Sequence, residues 1–224
     1  MTSQEQPSRV RRWLVPVLVA VAVAALAFAV GRFSTFGASG PLAPANDSAE
    51  AGFARDMQVH HAQAVEMAME LYRKTEDEEL RALSYDIATG QSAQRGEMFD
   101  WLVQWGLPQA GSPPMAWMSG AGDGHGHGGG ASAEPMTDAE MRAAMGMATD
   151  EELAQLRAAE GLDADCLFTE LMIRHHEGAI PMVDAVLELG SEPRVLAVAE
   201  SMKVAQTAEI DAMRSVQARL GCAG

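Results

Sequence analysis

From Phe53 to Leu71 the apolar side chains recur with helical spacing. At about 100° per residue, Phe53, Met57, Ala64, Ala68 and Leu71 share one stripe, with His60 and His61 on its two edges and Glu66 opposite. A second stripe of the same kind runs through Phe168, Met172, Ala179, Val183 and Val186, edged by His175 and His176. Pro181 takes the outward position there and predicts a bend, because it removes the hydrogen bond to the Glu177 carbonyl. Two further stripes comprise Leu83, Ile87, Gln91, Gln94, Met98, Trp101 and Trp105, then Val198, Met202, Gln206, Glu209, Met213, Val216 and Leu220. The pattern predicts four amphipathic helices whose inward faces carry amides and a carboxylate where a plain core would carry Leu.

The stripes are copies of one another. FARDMQVHHAQAVEM begins at Phe53 and FTELMIRHHEGAIPM at Phe168, an offset of 168 − 53 = 115. The same offset, without a gap, pairs Met57 with Met172, His60 with His175, His61 with His176, Gln91 with Gln206, Met98 with Met213 and Gly106 with Gly221. Register held over that distance marks a duplicated helical hairpin. Turn signals at Thr75 to Glu78 and at Gly190-Ser191-Glu192-Pro193 close each hairpin. Reflection about those turns sets His60 and His61 level with Gln91 to Gln94, and His175 and His176 level with Gln206 to Glu209. Each hairpin is then expected to hold its own polar layer beside its own thioether layer.

The expected architecture is all-α: a four-helix bundle made of two antiparallel hairpins, preceded by a transmembrane helix. The apolar run Trp13 to Val30 follows Arg9, Arg11 and Arg12, so residues 1–33 read as a short cytoplasmic tail and an uncleaved membrane anchor, with a cleaved signal peptide as the alternative. Residues 34–48 read as a linker and 49–224 as the helical domain, with repeats at 53–106 and 168–221. Between them, Leu107 to Pro135 is rich in Gly, Pro and Ser and is expected to lack regular structure. Capping boxes at Thr137/Glu140 and Thr149/Glu152 predict short helices in the remainder of 107–165.

Charge narrows the function. A net charge of −15 argues against nucleic acid as a partner and favours cations. Removing the four N-terminal arginines and Glu5 leaves 12 basic against 30 acidic residues in the exported part.

Burying two His pairs among Ala, Met and Leu costs free energy unless each imidazole finds a partner. Metal binding is one answer; a register-setting polar layer without ligand is another. Thioether sulfur selects Cu(I) over harder ions, and imidazole accepts Cu(I), Cu(II) and Zn, so His and Met together favour copper. Cys clusters of structural zinc are missing, as is the Glu-x-x-His set of di-iron bundles. The candidate ligands are His60, His61, Met57 and Met98 in one hairpin and His175, His176, Met172 and Met213 in the other. Gln91, Gln94, Gln206 and Glu209 are candidates to orient the imidazoles. Met115, Met118, His125 and His127 in the linker are weaker candidates; these methionines have no core to fill on this reading, and His125-Gly126-His127 is flexible enough to wrap an ion. Cys166 and Cys222 flank the second hairpin at ends that an antiparallel pairing makes neighbours, and they predict a disulfide over 222 − 166 = 56 residues.

The two His-His segments, with Gln206, Glu209 and Met213 downstream and MGMATDEELAQL between them, resemble the DUF305 family over roughly Phe53 to Gly221. The resemblance implies a ferritin-like four-helix bundle, export from the cytoplasm and, for some members, copper binding in periplasmic metal tolerance. Gln94 stands where the family pattern favours Glu, as at Glu209, which implies two sites of different charge. The expected function is extracytoplasmic binding of Cu(I), with Cu(II) or Ag(I) as further ions, for buffering, transfer or tolerance, with a protein donor or acceptor as partner. A metal-free scaffold and a di-metal oxidoreductase are the alternatives; the chain does not read as an enzyme.

Overall fold

The computed structural model describes residues 9–34, 43–111, 113–120 and 136–222. The described residues form helices and no strand: α1 (Arg9–Ser34), α2 (Ala49–Lys74), α3 (Glu78–Gln104), α4 (Asp138–Ala144), α5 (Asp150–Ala158), α6 (Gly161–Leu189) and α7 (Pro193–Leu220), with a 3₁₀ turn at Ala116–Gly120. Residues 1–43 and 44–224 are separate compact units.

The first unit contains α1, with Pro16 inside it. Its side chains are described from Pro16 to Gly31, so the run on which an anchor was expected lies partly outside them. Among the described residues no helix is long and apolar enough to cross a membrane, and the anchor is not supported at this level.

In the second unit, local chemistry sets each helix end. Ser48 and Asp77 cap α2 and α3 by accepting from Ala51 N–H and Leu80 N–H. Both capping boxes are formed, at Thr137/Glu140 and Thr149/Glu152. Pro193 opens α7 at a position where its missing N–H costs nothing, and α6 is helical from end to end across Pro181.

Two buried clusters show how the helices run. One joins Met67, Leu71, Leu80 and Ile87 to Phe168, Met172, Met213 and Val216. The other joins Phe53, Met57, Met98 and Trp101 to Met182, Val186, Val195 and Met202. The start of α2 therefore meets the end of α6 and the start of α7, and α2 and α6 lie antiparallel at the centre. The α2–α3 and α6–α7 hairpins pack against each other chiefly through these two helices. Cys166 and Cys222, just inside α6 and just past α7, are bonded as a disulfide with Cα atoms 5.4 Å apart.

The linker departs from expectation. Its described part contains the 3₁₀ turn, which docks on α2: the Asp56 carboxylate accepts from Met115 N–H (2.7 Å) and Trp117 Nε1–H (2.8 Å). Met115 and Met118 pack against the cluster holding Met57 and Met98, so these methionines do fill a gap in the core. The α4–α5 segment is clasped as well. Gln63 donates to Ala148 O and accepts from Ala148 N–H, while Arg174 holds the Glu152 carboxylate through two bonds.

Candidate metal centre

His60, His61, His175 and His176 are all buried, with at most 1% of their surface exposed. The expectation of a separate polar layer in each hairpin is corrected by their placement. α2 lies against α6, and the His60 and His175 ring centroids are 3.6 Å apart, so the two pairs form one layer. Within each pair the rings are 6.3 Å (His60–His61) and 6.1 Å (His175–His176) apart. Hydrophobic periodicity fixes which way a helix face points but not which helix it meets, so this convergence could not be read from the stripes.

Every imidazole is anchored through Nε2. His60 donates to Met145 O (2.9 Å), His61 to Gln94 Oε1 (2.8 Å), His175 to His60 O (3.1 Å) and His176 to Glu209 Oε2 (2.7 Å). A carbonyl or carboxylate oxygen can only accept, so Nε2 carries the proton in each ring. All four Nδ1 atoms are buried without a hydrogen-bond partner. Burial also disfavours the charged ring, pulling His60 down to about 4 and His61 to about 3 and holding His175 well below the usual histidine range. Those three are neutral near pH 7, with an open lone pair on Nδ1.

Three contacts fix the register of the four helices: His61–Gln94 for α2 and α3, His176–Glu209 for α6 and α7, and His60–His175 for α2 and α6. Counting outward at about 1.5 Å per residue sets Met57 level with Met98 on one side of the histidine layer and Met172 level with Met213 on the other. The two buried clusters divide these pairs in the same way. The histidines thus lie between two thioether layers, one from each repeat.

Gln94 and Glu209 accept from imidazoles, as the sequence suggests for residues that orient a ring. Gln91 and Gln206 do not. Both are buried, at 4% and 3% exposure, and both the nitrogen and the oxygen of each amide lack a partner. Their assignment to orienting imidazoles is corrected.

Three contributors escape a sequence reading: the Met145 carbonyl, Gly146 and Gly178. Gly146 has φ 68°, and a Cβ on it would collide with the Arg174 carbonyl; a Cβ on Gly178 would collide with Met145 O. The turn after α4 therefore presses its backbone onto α6, which carries the Met145 carbonyl to His60. A Gly following Met in MGMATDEE was the available signal, but nothing in it names the partner helix. His125 and His127 lie outside the described residues. Among the described residues, no group of three or more His, Cys, Asp or Glu is arranged to hold a metal ion; the imidazoles stand beside thioethers and amides.

The sequence of this duplicated helical bundle matches a known family. The family model described as a domain of unknown function (DUF305) matches residues 50–217, and the chain belongs to that family. It is similar to a DUF305 protein from Streptomyces coelicolor for which secretion is proposed, with 38% identity, TM-score 0.67 and coverage of 80% of this chain and 97% of that one. It is also similar to a DUF305 fragment from Deinococcus radiodurans (30% identity, TM-score 0.62, coverage 80% and 99%). A third likeness is to CopM in its Cu(II)-bound form (26% identity, TM-score 0.55, coverage 77% and 97%). The Cu(I)- and Ag-bound forms of CopM, at 23% and 22% identity, share the fold. A comparison with curated proteins finds no match.

Proposed function

We propose that this chain binds Cu(I), and with it Ag(I), as cargo in the interior of the bundle, and that it buffers copper or hands it on rather than catalysing a reaction. One observation carries the reading. Four buried imidazoles are each pinned through Nε2–H to an oxygen, leaving four partnerless Nδ1 atoms between layers of thioether sulfur. Donation of the far N–H to a carbonyl or carboxylate fixes a ligand's tautomer and raises its basicity. Imidazole with thioether suits a soft monovalent ion. An unpartnered buried acceptor costs about 1–3 kcal/mol, a cost that a bound ion would offset. Copper and silver binding by CopM supports the same reading.

The proposed ligands are drawn from His60, His61, His175 and His176 with Met57, Met98, Met172 and Met213. The proposed setting is outside the cytoplasm, in keeping with the Cys166–Cys222 disulfide and the secretion proposed for the Streptomyces relative. Tethering through Trp13 to Val30 is part of the proposal, on the strength of that apolar run and the arginines before it.

The test is competition on the purified protein under reducing conditions with elemental analysis of the product. The expected result is that Cu(I) or Ag(I) displaces Zn(II), and that replacing His175 and His176 together abolishes most binding. Zinc winning the competition, or no metal retained, contradicts the reading; in the second case the histidine layer only sets register.

A further inference from the structure

Gln91 and Gln206 are the donors for which the copper-binding reading above has no use, and the structure leaves both amides open. They occupy equivalent positions of the two repeats, 206 − 91 = 115. Each lies three residues before an inward-facing residue already engaged, Gln94 with His61 and Glu209 with His176, so both sit on the interior face of their helices. The register derived above sets Gln206 level with Met57 and Met98, and Gln91 level with Met172 and Met213. Each thioether layer of one repeat is thus completed by the amide of the other. On the helix packed against each amide's own, the level position is Ala64 beside Gln91 and Ala179 beside Gln206, both fully buried.

We propose that the Gln91 and Gln206 amide oxygens are ligands for Cu(II), each joining imidazole nitrogens of the histidine layer at a site shared between the repeats. The inference deepens the copper-binding reading and rests on it. Thioether sulfur is a poor donor for Cu(II), which takes nitrogen and oxygen in a tetragonal arrangement, whereas Cu(I) is content with sulfur and imidazole. The Gln94 and Glu209 oxygens already accept from imidazoles, while those of Gln91 and Gln206 are uncommitted. An amide oxygen brings a harder donor into the interior without the cost of burying a carboxylate charge. The bundle interior then holds either oxidation state by drawing on different members of one donor set.

The experiment uses the full chain and two double variants, Q91L/Q206L and Q91M/Q206M, titrated separately with Cu(II) and Ag(I), with the Cu(II) complexes examined by electron paramagnetic resonance. Both replacements are close to Gln in volume and remove an unsatisfied polar group, so the metal-free variants are expected to unfold at or above the wild-type temperature. The expected result is a loss of Cu(II) affinity of at least about tenfold in both variants, with a changed spectrum. Ag(I) affinity stays within about threefold in the Leu variant and rises in the Met variant. Parallel losses for both ions, or unchanged Cu(II) binding as amides engaged only with water would give, overturn the inference while leaving the copper reading intact. A wild-type protein that binds neither ion overturns both.

Discussion

His175 donates its Nε2–H to the backbone carbonyl of His60, and the two rings lie 3.6 Å apart. Residues 115 positions apart in sequence thus meet, their ring planes tilted by 32°, at the junction of α2 and α6. The duplicated hairpins are joined through their buried histidines.

Stability should show this coupling directly. His60→Ala and His175→Ala are each expected to destabilise the bundle, and the double variant to depart from additivity by about 0.5–3 kcal/mol. Denaturant unfolding of the metal-free single and double variants measures it. Simple additivity would mean that the two rings pack without depending on each other.

Acid should weaken the metal-free fold before its carboxylates protonate. Burial lowers the folded-state pKa of His60 to about 4 and that of His61 to about 3, while the unfolded chain takes up protons near 6.5. Between these values the unfolded state binds more protons. Stability is therefore complete above about pH 6.5 and falls as the pH drops towards the folded-state values. Thermal melting across pH 7.5 to 4 is expected to show a steady decline that begins near 6.5. A flat profile down to pH 5 would contradict burial of neutral imidazoles.

Gly178→Ala is expected to destabilise by more than about 2 kcal/mol, because the added methyl meets the Met145 carbonyl and forces the turn after α4 away from α6. The same movement withdraws the acceptor from His60 Nε2. Soft-metal affinity should fall together with stability. Replacement of Gly96, which lies open on α3, provides the comparison and should do neither.

The bond between Cys166 and Cys222 closes a segment of 56 residues across the second hairpin. By chain entropy, reduction is expected to cost about 4 kcal/mol of stability, while metal affinity measured well below the unfolding transition stays unchanged, since Cys166 lies about 15 Å along α6 from His176. Unfolding with and without reductant, followed by Ag(I) titration of both forms, checks the two halves of this statement.

Helices α2, α3, α6 and α7 were legible because a buried face imposes a 3.6-residue period, and the hairpins because turn residues interrupt it at Thr75 and Gly190. The short helices α4 and α5 were legible from their capping boxes. The meeting of α2 with α6 was not, since a stripe of Met57, His60 and Ala64 is equally compatible with any apolar partner. For the same reason Gln91 looked like a partner of His60 or His61. Only the register across both hairpins sets it level with Met172 and Met213. The docking of Trp117 and Met115 on Asp56 depends on a carboxylate with no counterpart in the second repeat, where the equivalent residue is Leu171.

The central claim is that soft metal binds at the buried, unpartnered Nδ1 atoms of four anchored imidazoles, and nitrogen NMR of the histidine side chains during Ag(I) titration tests it most directly. The account predicts that Nδ1 resonances of His60, His61, His175 and His176 shift on binding while each Nε2 remains protonated. Shifts confined to His125 and His127, or coordination through Nε2 in the buried rings, would contradict it.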